Sequence, residues 1–180
     1  PFEFICCPSG SGKTTFAINM CCCDDIMAYL LFIDPIMSII SGMSGNEPRM
    51  QEVYVPFVKI SQIFAIVCHK DLGKFARPGI SQSYLLETRF ELFGLIVAFF
   101  QLLKRLKSTN VTKTWLELEA GINEIPFVEM SGTEARKALE VVKKDYTSPL
   151  TVFIDETNVH DAFSVLRMNT LRLAFRFLEI

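Results

Sequence analysis

Pro8-Ser9-Gly10-Ser11-Gly12-Lys13-Thr14-Thr15 follows the apolar run Phe2-Glu3-Phe4-Ile5-Cys6 and opens onto Phe16-Ala17-Ile18-Asn19-Met20. The order is a buried strand, a loop of small residues, a lysine, a hydroxyl and then a helix. That order builds a cradle for phosphate. Backbone N–H groups of a Gly-rich loop and of a helix's first turn converge on negative charge. Lys13 is placed to reach the β- and γ-phosphates of a nucleotide, and the Thr14 hydroxyl to ligate magnesium. The full pattern G-x-x-x-x-G-K-[ST] has Cys7 in its first position here, while Gly10-Ser11-Gly12-Lys13-Thr14 is intact.

A phosphate-bound metal needs a carboxylate. Leu150-Thr151-Val152-Phe153-Ile154 is apolar and β-branched, is preceded by Pro149 and ends in Asp155-Glu156. Such a run reads as a strand buried on both faces of a parallel sheet. Ligands bind at the carboxyl ends of such strands. Asp155 is the expected second magnesium ligand. Glu156 is the expected general base, polarising the attacking water.

The two stretches together resemble the Walker A and Walker B motifs of P-loop NTPases. The glutamate directly after the Walker B aspartate resembles the subgroup with a catalytic glutamate, which includes AAA-plus ATPases and STAND-type proteins. In P-loop kinases that glutamate is usually absent. The segment Phe153-Ile154-Asp155-Glu156 and the later Leu166-Arg167-Met168-Asn169-Thr170-Leu171-Arg172-Leu173-Ala174-Phe175-Arg176 are also similar to the ATPase module of Crinkler-type and retrotransposon-hot-spot-type proteins. The resemblance implies an α/β fold with a parallel sheet flanked by helices. It implies magnesium and ATP, with Pro8 to Thr15 on the phosphates and Lys13 and Glu156 in catalysis. In those modules a further strand with a sensor residue follows the last helix, and here the chain stops at Ile180. With Pro1 at its start, the chain reads as an internal piece of a longer protein.

The expected activity is magnesium-dependent ATP binding and hydrolysis in a switch or motor module. The alternatives are a regulatory module that binds nucleotide and hydrolyses little, and a small-molecule phosphotransferase. Many proteins of this kind complete their site with a neighbour's arginine, so a protein partner or a second copy is a further expectation.

Composition sets outer bounds. The chain has 180 residues, half of them hydrophobic, with 16 Phe and 21% charged residues. That is a globular balance with enough chain for one core. The expectation is a single domain over residues 1–180, with a helical insertion at about 50–148. A net charge of −2 gives no overall basic field for nucleic acid. Cys6, Cys7, Cys21, Cys22, Cys23 and Cys68 form no C-x-x-C pair, and His69 and His160 are far apart. Reduced thiols packed as small apolar residues, in an intracellular setting, fit that pattern. Leu92 to Phe100 is the longest apolar run and falls well short of the roughly 20 residues a membrane-spanning helix needs.

Other elements follow from period and punctuation. Met27 to Ile33 reads as a second strand, closed by Asp34-Pro35; Asp34 either approaches a ribose or starts a turn. Ser38 to Pro48 reads as a loop. Helix and strand compete from Met50 to Phe75, with helix favoured, and Arg77-Pro78-Gly79 breaks the chain. Ser83 to Lys107 reads as one helix, with Lys104, Arg105 and Lys107 complementing its dipole. Thr114 is a candidate cap for a helix through Ala120, and Thr133 for one from Gly132 to Tyr146. Asp161 to Leu178 reads as the last helix. Arg167, Arg172 and Arg176 lie along it, either as a solvated face or with one at the γ-phosphate. Asn158 and His160 sit in the loop before it.

Overall fold

The structure, a computed structural model, describes residues 28–31, 48–106, 120–121, 127–144, 152–155 and 162–180. The longest element is helix α1, Pro48–Phe75. Among its described side chains, Ile60, Phe64, Val67, Cys68, Asp71 and Phe75 are buried. They recur at three- and four-residue steps, which puts them on one face of a 3.6-residue helix. The competition over 50–75 thus resolves to helix. The break at Arg77-Pro78-Gly79 also forms, with Gly79 at φ 74°, a conformation that only glycine adopts without strain.

A short helix α2, Gln82–Glu87, follows, with the Ser81 hydroxyl accepting from the Tyr84 amide at 3.1 Å. The single helix expected over Ser83 to Lys107 is instead interrupted. Thr88 is extended, Arg89–Phe90 form strand β2, and helix α3 runs over Glu91–Leu106. Two tertiary contacts account for the interruption. β2 pairs antiparallel with β3, Met130–Ser131, in the register Arg89↔Ser131 and Phe90↔Met130. The buried Asp71 carboxylate accepts from the Leu92 amide at 2.8 Å, supplying α3 with a cap from another helix. Helix propensity is a weak prior, and contacts of this kind override it.

Helix α3 is the centre of the core. Leu92, Phe93, Leu95, Ile96, Val97, Phe99, Phe100, Leu102 and Leu103 are all buried, which is the mark of a helix enclosed on most sides. It packs against α1 and against helix α4, Gly132–Lys143. Phe75, Phe90 and Phe93 form a chain of rings, with centroids 4.4 Å apart for the first pair and 4.8 Å for the second. Phe93 stacks on Phe177 of helix α5, Ala162–Phe177, at 5.6 Å. Each fully buried Phe contributes about 1.5–3 kcal/mol by leaving water.

Helix α4 starts from a capping box. The Ser131 hydroxyl accepts from the Glu134 amide at 3.3 Å, and the Glu134 carboxylate accepts from the Ser131 amide at 2.8 Å. Thr133, the expected cap, instead donates to the Leu86 carbonyl at 3.1 Å and ties α4 to α2.

Strand β1, Ala28–Leu31, pairs parallel with β4, Val152–Asp155, from Ala28↔Val152 through Leu31↔Asp155. Both expected strands therefore form, each shorter than its apolar run. The α/β architecture does not. The described residues are mainly helical, and their strands occur as two separate two-stranded pairs, one of them antiparallel. This overturns the expected P-loop NTPase fold of a parallel sheet flanked by helices. The physical reason is where the apolar mass lies. The Phe and Leu residues that build the described core lie mostly on helices and recur on the helical period, so most of that core is helix against helix. What reads as a helical insertion within a sheet domain supplies most of the described core. The expected strand at 2–6 and the helix after Lys13 lie outside the described residues.

Candidate functional site

Asp155 is the one expected site residue among the described residues. It ends β4, and its Cα partner across the parallel pair is Leu31, which ends β1. Both strands therefore finish at the same edge, and α1 packs on β1. Pro8, Ser9, Gly10, Ser11, Gly12, Lys13, Thr14, Thr15 and Glu156 lie outside the described residues. So do Asp34, Asn158 and His160. The expected magnesium ligands are Thr14 and Asp155, and only the strand position of Asp155 is described.

Of the three arginines on α5, Arg167 and Arg172 are half-buried and Arg176 is exposed. Arg167 lies near Cys68 of α1, where its positive charge favours the thiolate. Burial of the thiol and the neighbouring Asp71 carboxylate outweigh it and push Cys68 far above the ordinary thiol range. Cys68 is free, buried and held protonated, the state of a packing residue and not of a nucleophile.

A second polar cluster escapes a linear reading of the sequence. Lys74 pairs with Asp71 at 3.1 Å and with Glu129 at 2.8 Å, and it donates to the Arg89 carbonyl at 3.0 Å. Arg89 pairs in turn with Glu134 at 3.0 Å and donates to the Glu129 carbonyl. Lys70 pairs with Glu91 at 2.7 Å. Burial pulls the Lys74 ammonium down, but Glu129 and Asp71 outweigh it and hold it above its ordinary value. The Lys74 hydrogen bond holds Glu129 below the usual carboxylate range, and the Ser131 amide followed by Arg89 does the same for Glu134. The cations and carboxylates answer one another across α1, β2, β3 and the start of α4, so the cluster joins these elements. One signal in the sequence pointed to it. Asp71 occupies a position that the helical period assigns to the interior, and a carboxylate there requires partners.

Comparison with protein-family models, curated proteins and solved structures finds no match for this chain. Any assignment of function therefore rests on the residues themselves. Among the described residues, no group of three or more His, Cys, Asp or Glu side chains gathers in a way that would hold a metal ion. No helix among them is long and apolar enough to cross a membrane.

Proposed function

We propose that this chain binds ATP with magnesium and hydrolyses it. The loop Pro8 to Thr15 wraps the phosphates, with Lys13 on the β- and γ-phosphates. Thr14 and Asp155 hold the metal, and Glu156 takes the proton of the attacking water. The observation that carries the reading is the position of Asp155. It is the last residue of β4, level with the end of β1 in a parallel pair, and Glu156 comes directly after it. Parallel strands present ligand-binding groups at their carboxyl ends. The reading relies on this strand end and on the lysine loop, and it requires no particular sheet beyond the pair. An intracellular, reducing setting accompanies it, supported by the free and buried Cys68.

The test is titration calorimetry with Mg-ATP together with phosphate release, on the whole chain. Lys13→Ala should abolish binding. Glu156→Gln should leave binding in place and lower turnover by about 10²–10⁴-fold, the usual contribution of a general base. Unchanged turnover in Glu156→Gln would remove that residue from the chemistry. Unchanged binding in Lys13→Ala would remove the loop.

A further inference from the structure

Residues 127–131 lead into the cap of α4, and their own side chains hold them to the core weakly. Val128 is 67% exposed and Glu129 is exposed, while Phe127 and Met130 reach the core and are each half-buried. The backbone pairs with β2 over two residues, Arg89↔Ser131 and Phe90↔Met130. A two-stranded pair of that length is not stable by itself. Much of the remaining hold is ionic. The Glu129 carboxylate pairs with Lys74 of α1 at 2.8 Å, and the Glu129 carbonyl accepts from Arg89 of β2. Glu134 uses both carboxylate oxygens: Oε1 accepts from Arg89 at 3.0 Å and Oε2 from the Ser131 amide at 2.8 Å. The side chains of Glu129, Glu134 and Arg89 are each about half open to solvent.

The core beneath is tied separately. Lys74 has two carboxylate partners, the exposed Glu129 and the buried Asp71, and Asp71 in turn accepts from the Leu92 amide of α3. When Glu129 lets go, Lys74 keeps Asp71, so the buried carboxylate does not lose its cation. The large penalty for an unpaired buried charge is therefore absent from the opening. The surface that would be uncovered is apolar. The Val128 carbonyl rests where a Cβ on Gly94 would stand, and Met130 lies opposite Phe90, whose ring is fully buried beside that of Phe93.

We propose that residues 127–131 form a strap that acid or salt releases from the helical core as a unit, uncovering the apolar surface around Phe90 and Gly94 while the helices stay folded. The inference is independent of nucleotide binding. The charges that set the release are Glu129 itself, Lys74 and Asp71 from α1, Arg89 from β2 and Glu134 from α4. The neighbouring pair of Lys70 and Glu91 ties α1 to α3 and stays with the core. Lys74 holds the Glu129 carboxyl below its ordinary value, and the Ser131 amide followed by Arg89 does so for Glu134. Such carboxyls favour the closed form above their ordinary value and lose that effect as pH falls through the closed-form value. Release therefore begins near pH 4.5 and grows below it. Salt acts at any pH by screening the exposed pairs, and it reaches the more buried Lys74–Asp71 pair less.

Amide hydrogen exchange on the whole chain tests this, in low and high salt at pH 6 and again in low salt at pH 4. The Ser131 amide, bonded to Glu134, and the Glu134 amide, bonded to the Ser131 hydroxyl at 3.3 Å, report the strap. The Leu92 amide, bonded to Asp71 at 2.8 Å, reports the core. Glu129→Gln at pH 6 in low salt should lower protection of the strap amides relative to Leu92 by about 2–5-fold, the range that one exposed ion pair supports. Glu129→Asp keeps the charge and should restore part of it. High salt and pH 4 should each lower the same ratio in the parent, and by less in Glu129→Gln. Loss of protection at Leu92 in step with the strap amides overturns the proposal, because the strap would then open only with the core. An unchanged ratio in Glu129→Gln, or a parent insensitive to both salt and acid, overturns it as well.

Discussion

The Asp71 carboxylate, buried on α1, accepts a hydrogen bond from the Leu92 amide in the first turn of α3, 2.8 Å away. Its other oxygen faces the Lys74 ammonium at 3.1 Å. One side chain therefore supplies α3 with its missing N-terminal partner and neutralises a neighbouring cation. Asp71→Ala should lower stability by about 2–3 kcal/mol, the usual loss for a buried, charge-assisted hydrogen bond. Asp71→Asn keeps an acceptor for the Leu92 amide and should lose roughly half of that. Urea unfolding with unchanged slope measures both. Equal losses in the two variants would show that the charge, and not the cap, is what matters.

Two glycines give opposite expectations. A Cβ on Gly94 would strike the carbonyl of Val128, because the Val128 backbone lies directly on α3 at that point. Gly94→Ala should cost about 1–3 kcal/mol through overpacking. Gly73, in α1, has nothing within 4 Å of where its Cβ would stand. Gly73→Ala should therefore stabilise by about 0.5–1 kcal/mol through helix propensity alone. Thermal unfolding of the pair gives the sign of each, and a stabilised Gly94→Ala would contradict the close approach.

Glu179 holds a left-handed conformation suited to glycine, and its side chain makes only a 4.0 Å approach to Arg136. Glu179→Gly should raise stability by about 0.5–1 kcal/mol, after allowing for the added freedom of the unfolded chain. Glu179→Val should lower it, since a β-branched side chain tolerates positive φ least. Denaturant midpoints of the two variants should bracket that of the parent.

Acid should weaken the protein through two carboxyls whose ionised forms the fold stabilises. The carboxyls of Glu129 and Glu134 are held below their ordinary values, by Lys74 and by the Ser131 amide respectively. For a carboxyl depressed in the folded state, the added stability is present above the unfolded pKa and is lost as pH falls through the folded one. The loss therefore begins near pH 4.5, the ordinary glutamate value, and continues below it. Both groups are exposed, so screening keeps the effect modest and salt should reduce it. Lys74 acts in the other direction: its contribution lasts to high pH and goes only as pH rises through its raised value. Unfolding midpoints from pH 6 to pH 3 should fall less steeply in Glu129→Gln than in the parent.

Local signals in the sequence located several elements. Part of the apolar β-branched run ending at Asp155 became β4, and part of the run from Met27 became β1. Over Met50 to Phe75 the spacing left helix and strand in competition with helix favoured, and helix forms; the punctuation at Pro78-Gly79 was legible. What failed was the step from these elements to an architecture. A lysine loop and a strand ending in Asp-Glu suggested a sheet as the centre of the fold, yet the buried phenylalanines recur at helical spacing and give the described residues a helical core. The long apolar stretch after Ser83 looked continuous because local propensity cannot register β3 or Asp71, which are far away in sequence.

The candidate site divides along the same line. Lys13, Thr14, Asp155 and Glu156 are chosen by residue type and spacing, and sequence alone names them. The chain by itself thus determines which groups could carry the chemistry, because donors, acceptors and charges belong to residues. Only the tertiary structure decided that Asp71 caps a helix twenty-one residues on, that Arg136 and Lys143 grip the end of α5, and that Thr133 serves α2 and not its own helix. Those assignments depend on distances across the core, and no local pattern encodes them.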